Sequence, residues 1–263
     1  MFFHIIIPTL GRPGLQNAID SIKAQTYTNY MYYVVHDNAD SYHVYDEWQD
    51  HVDIYLPGHN GCGGCRNAAI KRIEESMCDK GEYILFLDDD DVIANPRVLS
   101  ELADFIVNNA YPDMVRLPYI KHFVESGIDK IKKVEERDIL ETTLSPIVGS
   151  PTKAVKVDKI VAFEPVIKSQ DVIQHIKQCD VCDTVAVFDK PYFIYNMYDR
   201  PDKAVDSPES KLLKAKVPHI LRDSDYNRRV SYRAADTWAQ KIEKMFDIST
   251  SNLPKGEDTG VRF

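Results

Sequence analysis

The sequence predicts an α/β fold: a mainly parallel sheet flanked by helices, with a helical C-terminal segment. Three observations carry this. Short apolar runs alternate with segments of helical periodicity through the first half of the chain, the order that parallel βαβ units produce. The run Tyr83-Ile84-Leu85-Phe86-Leu87 lacks polar alternation, as a strand covered on both faces does. It then meets Asp88-Asp89-Asp90-Asp91, at the strand end where open α/β sheets bind their ligands.

Taken in order, Phe3–Ile7 is the first strand, closed by Pro8 and followed by a turn at Gly11-Arg12-Pro13. Leu15, Ala18, Ile19 and Ile22 then recur at helical spacing. Met31–Val35 is the second strand, ending at His36-Asp37-Asn38. A helix through Tyr45 and Trp48 leads to a short strand, Val52–Leu56, which Pro57-Gly58 stops. The loop Asn60-Gly61-Cys62-Gly63-Gly64-Cys65 precedes a helix opened by Arg66-Asn67-Ala68-Ala69-Ile70. After the acidic strand, Asn95-Pro96 offers an N-cap with proline at the first helical position, for a helix from Arg97 to about Asn108. Past Asp113–Tyr119 the pattern loosens into short strands with one clear helix near 171–177. Residues 209–246 read as largely helical, and the polar tail from Ser249 reads as mobile.

Four adjacent carboxylates repel one another unless a cation or solvent screens them. Mg²⁺ and Mn²⁺ prefer oxygen ligands, and Mg²⁺ is usually held by one or two carboxylates together with substrate phosphates. A solvated acidic turn is the alternative reading of the same residues. The net charge of −9 argues against a generally basic nucleic-acid binder. The charge is uneven, however: residues 209–244 hold nine Lys or Arg, among them Arg228 and Arg229, against five acids. That segment reads either as a solvated helical face or as a surface for an anionic partner.

No apolar run approaches the roughly twenty residues of a membrane span, so no integral membrane association is expected. The start, Met1-Phe2-Phe3-His4, has no basic region ahead of its apolar stretch and no small-residue cleavage site. It reads as a strand, and a cytoplasmic location follows as the expectation. Cys62 and Cys65 form one C-x-x-C and Cys179 and Cys182 another, with Cys78 left over. The two pairs lie too far apart for a compact zinc ribbon, which favours reduced thiols.

Five blocks occur in a particular order. Ile5-Ile6-Ile7-Pro8-Thr9 is followed by Ala18-Ile19-Asp20-Ser21-Ile22 with Gln25-Thr26-Tyr27, then by Val34-Val35-His36-Asp37-Asn38. Asn60-Gly61 with Arg66-Asn67 comes next, and Glu82-Tyr83-Ile84 through Asp91 completes the series. In this order and spacing the chain resembles family 2 glycosyltransferases of the GT-A fold, which is Rossmann-like. The resemblance is strong over about residues 3–100 and weaker to about 200. It implies a GT-A domain over 1–200, with a nucleotide-sugar half at about 1–100 and an acceptor half at about 101–200. A helical extension at 201–248 and a tail at 249–263 would follow.

The resemblance also implies a reaction: inverting transfer of a sugar from a nucleotide diphosphate, UDP by family frequency, to an acceptor hydroxyl. Thr9 and Asp37 match positions that line the base or ribose, where a carboxylate can accept from an imide or a hydroxyl. As residues alone, Thr9 also suits a strand-end turn and Asp37 a helix cap. Arg66 matches the family's arginine near base and diphosphate, and otherwise reads as an exposed helix-start residue. Asp88 and Asp90 match the family's Asp-x-Asp. In that match Asp90 holds Mn²⁺ or Mg²⁺ at the diphosphate and Asp88 contacts ribose or sugar; Asp89 and Asp91 complicate the register, so Asp88 and Asp91 stand beside Asp90 as metal candidates. Phe163-Glu164 followed by Gln170-Asp171-Val172-Ile173 is similar to the family's base segment and makes Asp171 the candidate general base, with Gln170 where the family has glutamate. Read without the family, Asp171 is an acid in a first helical turn, stabilised by the dipole. Tyr195-Asn196-Met197-Tyr198 is similar to a segment where the family carries Tyr-Arg; Asn196 replaces the arginine, and Arg200 lies nearby.

A glycan or other soluble acceptor fits a chain without a membrane anchor. The basic 209–244 segment keeps open a modified DNA base as the acceptor, which such an enzyme would have to reach or flip. A non-catalytic nucleotide-sugar binder is the reading from another class, and Asp171 discriminates against it. A nucleotidyltransferase would open with a glycine-rich loop bearing Arg and Lys, which Pro8-Thr9-Leu10-Gly11-Arg12 does not supply.

Overall fold

The computed structural model describes residues 1–45, 50–76, 81–132, 150–164 and 170–198. The basic segment 209–244, Arg200, Cys78, Trp48, the extension from 201 and the tail from 249 lie outside the described residues.

Apolar residues at alternating positions build a sheet covered on both sides. β1 (Phe3–Thr9) pairs in parallel with β2 (Tyr30–Ala39) and with β5 (Tyr83–Phe86), and β2 pairs in parallel with β4 (His51–Pro57). Because strand side chains alternate between faces, Phe3, Ile5, Ile7, Tyr83, Leu85 and Leu87 enter one core. Ile6, Ile84 and Phe86 enter the other. The first core is closed by α1 (Leu15–Lys23), through Ala18 and Ile22, and by α3 (Val98–Asn108), through Leu99, Leu102 and Ile106. The second is closed by α2 (Gly61–Glu75), through Cys65, Ala69, Ile70 and Ile73.

Among the described residues the sheet grows to eight strands, by additions that are not all parallel. β10 (Lys153–Lys156) runs antiparallel between β5 and β7 (Met114–Arg116), and β11 (Val185–Val187) pairs in parallel with β7. At the other edge β3 (His43–Tyr45) pairs antiparallel with β4. The helix expected through Tyr45 is therefore corrected. His43-Val44-Tyr45 is aromatic and β-branched, which suits an edge strand, and Val44 packs on the second core.

A second sheet has four strands among the described residues, β6 (Val92–Ile93), β12 (Phe193–Met197), β8 (Tyr119–Phe123) and β9 (Ile128–Lys132), in that spatial order. Leu117-Pro118 breaks the chain between β7 and β8 and carries it from one sheet to the other, as proline in a strand run dictates. The helix expected near 171–177 is α4 (Gln170–Val181), the fourth described α-helix. Cys179 and Cys182 pack it onto Met114 and Val155. Arg97 stands at the N-cap of α3, with its N–H donating to Asn95 Oδ1 at 2.9 Å, so Asn95 acts in the turn ahead of the helix. Among the described residues no helix is long and apolar enough to cross a membrane.

Candidate active site

β1, β2 and β5 run in parallel, so their carboxyl ends bring Thr9, Asp37 and the four aspartates to one side of the sheet. Backbone pairing continues beyond β5, where Leu87 N–H donates to Ile6 O at 3.0 Å, and the acidic turn closes with Asp91 N–H donating to Asp88 O at 3.0 Å. Each of the four carboxylates then faces a different environment.

Asp88 Oδ1 takes a 2.6 Å bond from Arg66 Nη2, and Arg66 Nη1 reaches Asp171 Oδ1 at 3.3 Å. The Arg66 side chain is only 3% exposed. Its guanidinium carbon lies 5.9 Å from the Phe86 ring centre and 5.3 Å from that of Phe163, within cation–π range. The exposed helix-start reading of Arg66 is thereby overturned: the side chain joins the acidic turn to α4. Burial alone would lower its pKa, but Asp88 and Asp171 together push it above the usual arginine range. Asp88 is raised, chiefly by burial, against the opposing pull of Arg66.

Asp89 is turned away from this group. Thr9 Oγ1 donates to its Oδ2 at 2.8 Å, and Arg12 Nη1 stands 3.3 Å from its Oδ1. The same guanidinium lies 3.7 Å from Asp90 Oδ2. Asp91 is wholly buried. Its Oδ1 accepts the Asn196 N–H at 3.0 Å, while Asn196 Nδ2 donates to Asp90 O at 2.7 Å. Among the described residues Asp91 Oδ2 has no hydrogen-bond partner. Burial, with Asp88 and Asp90 adding to it, lifts the Asp91 carboxyl to about 9.

Asp37 is brought to the N-terminus of α2. Its Oδ1 accepts from Asn60 N at 2.7 Å, Asn60 Nδ2 at 3.1 Å and Asn38 N at 3.1 Å, and its Oδ2 from Gly61 N at 2.9 Å. His59 Nδ1 lies 3.1 Å from the same Oδ2. A buried carboxylate that satisfies helix-start amides is an effective cap.

A cavity of about 170 Å³ opens between the two sheets. Three carboxylates line it, Asp88, Asp91 and Asp171, with Tyr119, Phe193 and Tyr195 from the second sheet and Pro151 and Thr152 from the turn before β10. Three of the residues expected from the sequence thus share one cavity. Thr9, Asp37, Arg66 and Asp90 do not line it: Thr9 braces Asp89, Arg66 stands behind Asp88 and Asp171, and Asp90 pairs with Arg12. Lys153, also wholly buried, donates to Gln174 Oε1, and burial pushes its amine down to about 7 while Asp171 acts to raise it. Tyr119 stacks on Phe193 at 5.1 Å and meets Tyr195 edge-on at 6.0 Å, forming a firm aromatic wall.

Sequence reasoning missed this wall because its strands are short and belong to no clear pattern; only the Tyr195-Asn196 pair carried a signal. It also missed Ser150, whose hydroxyl donates to Asp171 Oδ1. No spacing or composition marks that serine.

Residues 4–152, more than half of the chain, match the sequence profile of glycosyl transferase family 2. The chain belongs to this family. A Rickettsia felis protein described as an uncharacterized glycosyltransferase is 36% identical over 93 residues, which is 34% of this chain and 14% of that relative's length. S. aureus TarS 1–349 in complex with UDP superposes with a TM-score of 0.67 at 19% identity, over 96% of this chain and 74% of the other. Its complex with UDP-GlcNAc gives 0.67 at 18% identity over the same shares. These likenesses establish the GT-A fold, and the acidic turn stands beyond the carboxyl end of β5, a central strand of the large sheet.

Family 2 enzymes commonly use divalent metals. Among the described residues no group of three His, Cys, Asp or Glu is arranged to hold an ion. The donors instead suit an ion shared with a diphosphate, since Asp91 Oδ2 is a hard oxygen without a hydrogen-bond partner among the described residues, beside Asp88 at one cavity.

Proposed function

We propose that this chain transfers a sugar from a nucleotide diphosphate, a UDP-sugar in the first instance, to an acceptor hydroxyl with inversion, using Asp171 as the general base. One observation carries the reading: Asp88, at the donor edge of the sheet, and Asp171, on α4, face the same cavity and are joined through Arg66. A donor and an acceptor bound there would meet between the two carboxylates. The UDP and UDP-GlcNAc complexes of TarS support a uridine donor.

In this reaction the acceptor oxygen forms a bond to the anomeric carbon while the diphosphate oxygen departs with the bonding electrons. The acceptor proton passes to Asp171, which must lie within about 2.6–3.2 Å of that hydroxyl. Arg66 holds Asp171 in line with Asp88, a role suited to a planar guanidinium that reaches two carboxylates at once. Tyr119, Phe193 and Tyr195 give the sugar an apolar wall and exclude water from it. Thr9 and Asp37 belong to the base and ribose side, Thr9 by bracing the acidic turn and Asp37 by ordering the amides at the start of α2. Mn²⁺ or Mg²⁺ would be held by Asp91 and Asp88 with Asp90 alongside, and would supply positive charge to the departing diphosphate.

The test has two parts. Melting is followed with UDP and UDP-N-acetylglucosamine, with and without Mn²⁺; ligand at a hundred times its dissociation constant stabilises by about 2.7 kcal/mol, roughly 5–10 °C in a chain of this size. Asp171→Asn should keep that shift and lose transfer by about 10²–10⁴-fold. A nucleotide shift with wild-type transfer by Asp171→Asn removes Asp171 as the base. A shift in a chain without any transfer favours a nucleotide-sugar binder instead.

A further inference from the structure

We propose that Ser150 is a positioning residue for the transfer, holding the Asp171 carboxyl in the rotation that leaves Oδ2 toward the acceptor hydroxyl. The inference rests on Asp171 being the base. Ser150 is wholly buried and opens a single 3₁₀ turn, Ser150–Thr152, that runs directly into β10. Because β10 is paired on both sides, with β5 and with β7, the turn stands on a rigid support. Its next two residues, Pro151 and Thr152, form part of the cavity wall. One short segment therefore shapes the cavity and grips the base.

The geometry of the grip is one-sided. Ser150 Oγ donates to Asp171 Oδ1, and Arg66 Nη1 reaches that same oxygen at 3.3 Å. Among the described residues both hydrogen-bond partners of this carboxyl meet Oδ1. An ionised carboxylate only accepts, so the serine hydroxyl must be the donor, and its proton is committed to Oδ1. The terminal torsion of aspartate is broad and roughly two-fold. The longer Arg66 contact alone would let the two oxygens exchange; the second donor, arriving from a different element, fixes which of them is left for the proton. Misplacing a reacting group by about 1 Å can cost about 10²-fold in rate.

The experiment compares wild type, Ser150→Ala, Asp171→Asn and the double variant. The readouts are UDP release from UDP-N-acetylglucosamine with water as acceptor, UDP binding with Mn²⁺ by calorimetry, and melting temperature. Ser150→Ala should lose about 10–100-fold in kcat, while its KM, its UDP affinity and its melting temperature stay near wild type. Added to Asp171→Asn, it should change the residual turnover less than about twofold, because the hydroxyl acts only through that carboxylate. A Ser150→Ala kcat within twofold of wild type, beside an inactive Asp171→Asn, overturns the role of Ser150 and leaves the base in place. A fall in kcat together with UDP affinity or melting temperature also overturns it, in favour of a purely structural part. Wild-type turnover by Asp171→Asn, or a wild-type chain that releases no UDP, instead brings down the base or donor reading on which this one stands.

Discussion

Arg66→Met tests the centre of the site, because it removes one charge on which two carboxylates depend and keeps most of the volume between Phe86 and Phe163. Removing one partner of a buried ion pair costs about 3–5 kcal/mol. Asp88 and Asp171 each keep 34% of the side chain exposed, so solvent screens part of the loss and the lower figure, about 3 kcal/mol, applies. For a chain of this size that corresponds to a fall of roughly 6–12 °C in melting temperature. The loss should also depend on pH. The Asp88 carboxyl already sits above its usual range, through burial that outweighs the pull of Arg66, and without the guanidinium it rises further. A carboxyl raised in the folded state costs stability progressively as pH climbs from the unfolded value, near 4, through the folded one. The deficit should therefore be larger at pH 8 than at pH 5. Circular-dichroism melts of both proteins at the two pH values measure it. An equal deficit at both, or a variant melting within about 2 °C of wild type at pH 8, would refute the ion-pair account.

The remaining predictions concern the acidic turn, its neighbour α1 and the core of α4. Asp91→Asn, at a site where burial lifts the carboxyl to about 9, should raise stability at pH 8 without divalent ions, since the wild type loses stability from about pH 4 up to that value; the same variant should lose any Mn²⁺-dependent gain in melting temperature, and an unchanged melting profile would count against it. Gly14→Ala would place its Cβ 2.7 Å from the Asp89 carbonyl oxygen and 3.1 Å from Asp90 Cα, both backbone atoms. It should cost about 1–3 kcal/mol in urea unfolding and weaken UDP binding; wild-type values for both would show that the turn can yield. Burial pushes the Cys179 and Cys182 thiols up to about 12 and 11, so both should resist iodoacetamide at pH 8 until urea unfolds the chain, as mass spectrometry of the labelled peptides would report. Rapid labelling of either in the native protein would place them outside the core.

The central sheet was legible because its information is local. Ile5-Ile6-Ile7 and Tyr83 through Leu87 announce strands buried on both faces, and the two cores they enter follow from period-two alternation. The ordered blocks through Asp91 were enough to point to the family, and the segment that follows Phe163 singled out Asp171, which the fold brings to the cavity wall. Tyr45 was misread because one aromatic at helical distance from another carries little weight against an edge strand awaiting a partner. The antiparallel insertion of β10 left no trace in the first half of the chain, since the pairing joins residues some seventy positions apart, such as Ala154 with Leu85.

What the sequence determined by itself was the layered α/β architecture, the place of the acidic turn at a strand end and the residue types available for sugar transfer. Those depend on periodicity and on near neighbours along the chain. Tertiary structure alone decided how four identical aspartates divide: Asp88 to Arg66, Asp89 to Thr9, Asp90 toward Arg12, and Asp91 to the Asn196 backbone. It also decided that Arg66 is buried between two rings and that Ser150 reaches Asp171. The reason is physical: a carboxylate's behaviour is set by burial and by the donors and charges within a few ångströms, and here those neighbours arrive from β1, α2, α4 and β12, which only the folded chain brings together.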